Sequence, residues 1–405
     1  MTLSVSLKAL ILLVVSATIA AVSAFTTHPG QGKISASAIR HAFPIRKPSL
    51  LCLIDENSRP GSLAKVSEEE ERVTYGEASR KHRQTVFTHK DWIEHRSSDR
   101  LFENLSSLPR SGIVRQLFEE ISLVTGIAIA VVVWNGILAP EYGLPMFCLP
   151  ARPFTLSSPA LALLLVFRTN ASYHRWWDAR QMWGEIITQS RNVVRTSSTW
   201  TDDEEALEQL VLSAWLFPRS IMNKLSGPDD DDDYREELQE QFGEDFDSAN
   251  FVSRLMLAPD RPMAALMNLS LAVNALSIEK QRRIEIDKSL VILGDQLGAC
   301  ERIFSSPVPL VYTRHTARFL SLWMLLLPFA MYEDFAKTSD LALPLVPASA
   351  MLALFMFGIE ELAVQLEEPF SILPMQRFCD GILQAGTGLR IWSMENKGVI
   401  GSNKQ

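Results

Sequence analysis

The chain has 405 residues, a formal net charge of −8 at pH 7 and a mean hydropathy of +0.07. Of its residues, 47% are hydrophobic and 21% are charged. This composition is too polar for a transporter with many membrane helices, yet its apolar residues are bunched into runs that a soluble enzyme does not need. A few membrane-spanning segments joined to a large aqueous part fit the composition better.

The N-terminal residues predict two targeting signals in series. A basic start (MTLSVSLK), the apolar run ALILLVVSATIAAV and small residues before Phe25 are typical of a cleavable signal peptide over residues 1–24. Residues 25–75 are interpreted as a plastid transit peptide or disordered leader, because residues 25–54 carry basic side chains and no acid. This pair resembles the bipartite leader of algae with secondary plastids. The alternative is an ordinary secreted or plasma-membrane protein.

Apolar runs predict four membrane spans. Residues 121–139 carry no formal charge, which suits one crossing of about 30 Å at 1.5 Å per residue. The next run, 154–167, is too short for a lipid-facing helix but long enough to line a water-filled path. Hydroxyl side chains just before Pro159 offer N-cap oxygens, so Pro159 is predicted in a first helical turn. The predicted spans are about 118–139, 154–172, 317–334 and 341–362.

Between the second and third spans the chain has a soluble character. Residues 173–315 show helical periodicity and little strand alternation, which predicts an aqueous helical region. Within residues 202–247, sixteen acidic residues stand against three basic ones, a net charge of −13. We interpret residues 226–247 as a solvated or disordered acidic loop. Residues 386–405 are interpreted as a tail. Basic residues after the second span predict that these polar parts lie on the stromal side of a plastid membrane.

No motif predicts metal or catalytic chemistry. The four cysteines lie far apart without CxxC spacing. Acidic residues between 229 and 240 follow a calcium-loop spacing, but Tyr234 stands where the sharp turn needs glycine. His174 and His315 have no His partner at metal spacing, and no phosphate loop or nucleophile elbow is present. The sequence therefore predicts no enzyme, no cofactor, no bound metal and no nucleic-acid partner.

Three blocks of sequence carry a family resemblance. They are FRTNASYHRWWDARQMWG (167–184), ACERIFSSPVPLVYTRHTARFLSLWMLLLPFAMYED (299–334) and GIEELAVQLEEPFSILPMQRFCD (358–380), preceded by DWIEHRS (91–97). Together they resemble the bestrophin anion channels, in the version found as thylakoid voltage-dependent chloride channels of plants and algae. The resemblance covers about 85–385, and the channel domain is predicted over residues 80–385. It implies an all-α membrane protein with four transmembrane helices per subunit, a helical aqueous domain, and a homopentamer around one central pore.

The sequence departs from animal bestrophins after the last span. Those proteins carry a calcium clasp of clustered acids shortly after the Pro-Phe pair, whereas here the corresponding block offers only Asp380 beyond Phe370. The sequence therefore does not support calcium control. Four glutamates just before Phe370 are interpreted instead as ion-pair partners for arginines of the aqueous region. They are Glu360, Glu361, Glu367 and Glu368.

The resemblance also implies a narrow apolar neck on the second helix. Counting back from Arg175 in the HRWW block places neck residues at Leu163 and Phe167, with a third at Pro159 or Ala160. Spacing agrees, because positions 160, 163 and 167 share one helical face. A narrow apolar ring gates by dewetting, and aromatic edges carry partial positive charge. The alternative is that these are ordinary helix-packing residues. The family's second constriction falls on the helix around Ile284.

Arginines after the neck predict a positive vestibule. Basic side chains outnumber acids between the second span and Trp200, and such a surplus around an axis raises the local anion concentration. The residues assigned to this vestibule are Arg168, Arg175, Arg180, Arg191 and Arg195. For Arg168 and Arg175 an intersubunit ion pair fits the sequence equally well.

These features predict a passive, voltage-gated anion channel. It would conduct chloride across the thylakoid membrane and balance charge as protons move, with the plastid envelope as the alternative location. The expected partners are further copies of the chain, membrane lipid, and chloride or bicarbonate as the permeant anion. A bicarbonate channel that supplies carbon fixation and a non-conducting membrane scaffold are the alternative functions.

Overall fold

The computed structural model describes residues 86–97, Phe102, Ser106, 112–243, 246–339 and 341–401. These residues form helices and connections, and none of them lies in a strand. The prediction of an all-α fold is therefore confirmed. The predicted leader segments, 1–24 and 25–75, lie outside the described residues.

The described helices follow one another with short connections. In chain order they are α1 (His89–His95), α2 (Gly112–Gln116), α3 (Phe118–Val133), α4 (Ala139–Tyr142), α5 (Ala151–Trp200), α6 (Glu204–Ser226), α7 (Asp231–Phe242), α8 (Phe246–Met256), α9 (Arg261–Ala275), α10 (Lys280–Ser305), α11 (Leu310–Ala336), α12 (Leu345–Glu367) and α13 (Met375–Gly401). A π-helical segment, Trp134–Leu138, joins α3 to α4.

Four segments of the described chain are long and apolar enough to cross a membrane, judged by length and composition. They are Phe118–Tyr142, Ala151–Trp200, Leu310–Ala336 and Leu345–Glu367. This agrees with the prediction of four spans. The second segment has 50 residues, about 75 Å at 1.5 Å per residue, which far exceeds one crossing. It therefore continues from the apolar run into the polar part of the sequence, and the predicted end at 172 falls inside the helix.

One compact unit contains the segments Gln116–Ser158 and Ser321–Met356. Its core joins Ile127 and Val131 of α3 to Tyr332 of α11. The contacts in this cluster are made by hydrophobic side chains. Membrane spans associate through van der Waals packing of this kind.

The connection between α4 and α5 is held by backbone and amide hydrogen bonds. The Asn135 amide donates to the carbonyl of Phe147 at 3.0 Å and accepts from the Phe147 N–H at 2.8 Å. The Leu149 N–H donates to the Phe329 carbonyl at 3.1 Å. Gly143 ends α4 with φ of 64°, a left-handed conformation that glycine adopts without strain. The connection is thus ordered by its own polar groups.

The predicted start of the second span is wrong. The helix begins at Ala151, so Pro159 lies inside it rather than in its first turn. The hydroxyl groups do not cap the helix: Thr155 donates to the Ala151 carbonyl, and Ser158 donates to the Thr155 carbonyl at 3.2 Å. That second bond supplies the partner that the missing N–H of Pro159 would have been, which makes an internal proline tolerable.

A second compact unit contains the segments Pro159–Leu320 and Phe357–Gln405 together with α1. Its core is formed mainly by α5, α6, α9, α10 and α13, with fully buried side chains such as Trp183, Leu210 and Leu293. On α13, Gly386 lies so close to α6 that a Cβ atom there would come within 3.1 Å of Val211 Cγ1. A side chain at that position would overpack the contact between the two helices.

The acidic segment is not a solvated loop. Residues 231–242 form α7, and the prediction of a disordered insertion at 226–247 is wrong for the described residues. Arg219 of α6 is fully buried and binds two of these acids, with 2.7 Å from Nη1 to Asp230 Oδ2 and 2.7 Å from Nε to Glu237 Oε2. Burial alone would lower the pKa of Arg219, but its bonds to the two carboxylates outweigh burial and hold the pKa above its usual value.

A second ion pair fixes the start of α7. Arg261 binds Asp231, and this hydrogen bond holds the pKa of Asp231 below its usual value of 3.8. Two side chains on the inner side of the helix, Tyr234 and Leu238, are buried and lie four residues apart. The segment therefore docks through one face and leaves the rest of its acids to solvent.

The predicted tail also begins inside a helix. Helix α13 runs without a break through residue 386. Near its end, Arg390 binds Glu208 at 3.1 Å and Lys397 binds Asp202 at 2.7 Å and the Thr201 carbonyl. These contacts fasten the last part of α13 to the turn between α5 and α6.

Candidate functional site

The four predicted neck residues lie on one exposed face of α5. With about 100° between successive residues of an α-helix, Pro159, Ala160, Leu163 and Phe167 fall within one broad stripe. All four are exposed, with 54% of Leu163 and 56% of Phe167 accessible. The leucine at 165, two positions after Leu163, is only 3% exposed. We call the stripe that contains Leu163 the neck face of α5.

The opposite side of α5 holds a buried ion pair. Arg168 Nη1 lies 2.6 Å from Glu360 Oε1 of α12 and donates to the Thr313 carbonyl of α11 at 3.0 Å. Both side chains are mostly buried, and Arg168 Nε and Glu360 Oε2 have no hydrogen-bond partner among the described residues. Glu360 thus pairs with an arginine, but with one of the predicted second span rather than of the aqueous region, and the pair lies within one chain.

Arg175, two turns further on, caps two helices at once. Its Nε donates to the Glu367 carbonyl at the end of α12, at 2.9 Å. Its two terminal nitrogens donate to the carbonyls of Ile303 and Ser306 at the end of α10, both at 2.7 Å. The last carbonyls of a helix are unsatisfied and carry partial negative charge, so a guanidinium is a fitting partner. This side chain is committed to helix ends.

The remaining three arginines assigned to the vestibule differ in whether their side chains have partners within the chain. The Arg180 guanidinium stacks over the Phe378 ring at 4.8 Å, and Arg191 donates to the Gly381 carbonyl at 3.2 Å. Arg195 is exposed, and its side chain makes no hydrogen bond or ion pair with a described residue. By helical position only Arg195 of the five arginines shares the neck face. Arg168 and Arg175 point their charges at partners elsewhere.

Beyond Phe167 the neck face becomes polar. Asn170 and His174 follow it at intervals of three and seven residues and are exposed. The sequence analysis weighed His174 as a metal ligand and did not single out Asn170. The same count of 100° per residue that placed the neck would have found both.

Metal binding finds no support in the described part of the chain. No group of three or more His, Cys, Asp and Glu side chains there is placed to hold a metal ion. Of the acids with calcium-loop spacing, Asp231 is bound to Arg261 and lies in a helix, not in a loop that could wrap a cation.

Helix α10 contains the residues around Ile284 where the sequence predicts a second constriction. On α10, Ile284 is 59% exposed, whereas Ile286 is buried at 1%. The exposed side chain is therefore the one of the two that can reach an aqueous path.

Four candidate spans, an exposed apolar face on the second and a helical aqueous region define a multi-span α-helical membrane protein. Residues 91–386 match the family described as Bacterial/Fungal Bestrophin protein. The chain therefore belongs to the bestrophin family, which confirms the resemblance seen in the sequence.

Two similar proteins come from Arabidopsis thaliana chloroplasts. "Voltage-dependent chloride channel 1, chloroplastic" is 31% identical over 306 residues, which cover 74% of this chain and 71% of the relative. "Voltage-dependent chloride channel 2, chloroplastic" is 30% identical over 310 residues, covering 74% and 72%. These relatives support the predicted plastid type. Because they are named as channels, they also agree with the prediction that the chain is not an enzyme.

Solved structures share the fold. A bacterial bestrophin homolog from Klebsiella pneumoniae superposes with a TM-score of 0.59 at 23% identity, covering 68% of this chain and 98% of that chain. A variant of the Klebsiella homolog gives a TM-score of 0.58 at 24% identity, covering 68% and 99%. The likeness supports the four-span helical architecture.

Proposed function

We propose that the chain is one subunit of a homopentameric, passive anion channel of a plastid membrane, with α5 lining the pore. The observation that carries the proposal is the neck face. Large apolar side chains are exposed there, whereas side chains on the other side of the same helix contact α10, α11 and α12. Family membership and the chloroplast chloride channels among the relatives supply the ion class.

In this arrangement five copies of Leu163 and Phe167 would stack as apolar rings, with Ala160 and Pro159 above them. Such rings exclude water when narrow, and aromatic edges can lean toward a passing anion. Arg195, which shares the neck face, would supply the positive vestibule, because Arg168 is paired with Glu360 and Arg175 is bound to carbonyls at helix ends. Ile284 is proposed at the second constriction.

We take chloride as the main permeant ion and the thylakoid as the membrane, where the channel would balance charge as protons move. The choice of chloride follows the names of the plant relatives, whereas those names give the chloroplast and no particular membrane of it. Bicarbonate remains the alternative anion, since it is also monovalent and small. The acidic helix gives less support to a scaffold function than a free arm would, because Asp230, Asp231 and Glu237 are bound within the chain.

The test is electrical. The purified chain in planar bilayers should carry anion current, and reversal potentials in chloride against bicarbonate rank the two ions. Phe167→Ala should widen the neck and change unitary conductance or relative anion permeability without preventing assembly. Phe355→Ala is the matched control, because Phe355 lies on another span and is 57% exposed, almost the same as Phe167. Absence of anion current would exclude the channel and favour the scaffold.

A further inference from the structure

We propose that Asn170 and His174 form an anion-binding site immediately beyond the apolar neck, one that accepts small monovalent anions through side-chain N–H donors. This proposal rests on the channel function proposed above and adds to it the place where the ion stops after the neck.

The first support is position. Asn170 lies about 60° around the helix from Phe167 and about 20° from Leu163, and His174 lies about 20° from both. One turn of α5, about 5.4 Å, separates the two polar side chains. Five copies of the helix that bring Leu163 to a common axis would therefore bring Asn170 and His174 to the same axis, as two rings below the neck.

The second support comes from hydrogen-bond partners. Some other polar side chains of this helix have partners within the chain: Thr169 donates to the Leu165 carbonyl, and Thr188 donates to the Gly184 carbonyl, both at 2.9 Å. Ser172 and Ser190 also lack a partner among the described residues, but they are buried and cannot meet an ion from solution. The side chains of Asn170 and His174 make no hydrogen bond with a described residue, and the His174 ring lies beside the ring of Tyr173. An amide offers two N–H donors and an imidazole at least one, so both have donors to spare.

The third support is chemical. An anion that crosses an apolar ring has lost part of its hydration, and it needs hydrogen-bond donors as soon as it leaves the ring. Conduction requires binding that is firm enough for the anion to enter and weak enough for it to leave, and a small number of N–H donors can provide this. The exposed carboxylate of Asp178, one turn beyond His174, adds a repulsion that keeps the anion from resting too long.

Two measurements on the full chain test the site. Single-channel conductance against chloride concentration gives a half-saturating concentration, which should rise about three- to tenfold in Asn170→Ala and in His174→Ala, the factor expected from losing one hydrogen bond. His174→Gln, which keeps an N–H donor, should stay close to the wild-type value. Gln181→Ala is the control, because Gln181 is exposed on the same face two turns further along.

The second measurement does not depend on conduction. Crystals soaked in bromide should show anomalous density beside Asn170 and His174, lost in the double variant Asn170→Ala/His174→Ala. Bromide at this place in a protein that carries no current would keep the site and reject the channel. Current in the wild type with half-saturation unchanged in both alanine variants, and no bromide beside them, would overturn the site and leave the channel standing.

Discussion

The two sides of α5 treat their side chains in opposite ways. On one side Arg168 and Arg175 reach four backbone carbonyls and one carboxylate, and Leu165 is buried. On the neck face Leu163 and Phe167 are more than half exposed. Within a single chain, the contacts of the buried side fix the rotation of α5 about its axis, and the neck face makes no such contacts. The open side is therefore available to a water-filled path or to other copies.

The largest expected effect comes from breaking the committed side. Glu360→Gln removes the counter-ion of a buried guanidinium, and breaking a buried pair costs about 3–5 kcal/mol of folding free energy. Denaturant unfolding in detergent should show this loss. The double variant Arg168→Met/Glu360→Met removes both charges and should recover most of it. Wild-type stability in Glu360→Gln would show that the pair does not hold the helix.

The next largest effect is a difference in stability between leucine-to-alanine substitutions on the two sides of α5. Leu165→Ala creates a cavity in packed structure and should lower the free energy of unfolding by about 2–5 kcal/mol. Leu163→Ala, two positions away, should change stability by less than about 0.5 kcal/mol, while altering unitary conductance. Equal destabilisation by the two substitutions would contradict the assignment of an open face.

The same contrast can be tried on the acidic helix. Asp230→Asn weakens the contact to the buried Arg219 and should cost roughly 1.5–3 kcal/mol, the range for hydrogen bonds to charged groups. Asp232→Asn, on the exposed side of α7, should stay within about 0.5 kcal/mol of wild type. Thermal unfolding of both variants decides. If Asp230→Asn proved as mild as its neighbour, the helix would be docked only by its apolar side chains.

The smallest effect belongs to the vestibule. Arg195→Gln should reduce chloride conductance at about 0.01 M salt, where the screening length is about 30 Å, and leave it unchanged at about 1 M salt, where it is about 3 Å. Arg235→Gln, an exposed arginine on α7, serves as the control. A reduction of the same size at both salt concentrations would point to a local contact of Arg195 rather than to its field.

The sequence predicted the four spans because they follow from runs without charge, whereas the neck positions were implied by the family resemblance and agree with the helical period. It could not predict which carbonyls Arg175 reaches, since these lie more than a hundred residues away along the chain. The start of α5 was misjudged because hydroxyl groups before a proline can cap a helix or bond back into one, and local sequence does not choose between these.

For the acidic segment, the sequence contained a helical pattern of apolar residues, but its charge composition was given more weight. Tyr234, Leu238 and Phe242 recur every four residues, which is the spacing of a helix with one apolar face. Charge composition favoured a solvated loop, but the decisive partners, Arg219 and Arg261, flank the segment in sequence and become its neighbours only on folding. Charge composition averages over all side chains of a segment, whereas the docking of this helix depends on a few specific side-chain contacts.

The close contact at Gly386 has a consequence for synthesis of the chain. Val211 of α6 packs against α13, but residues 227–374 lie between the two helices and are synthesised before α13. A nascent chain therefore carries α6 with an uncovered face through the translation of two membrane spans. Only when α13 emerges can the face close and Lys397 reach the turn at Thr201. Until then the face of α6 that α13 covers stays open on the growing chain.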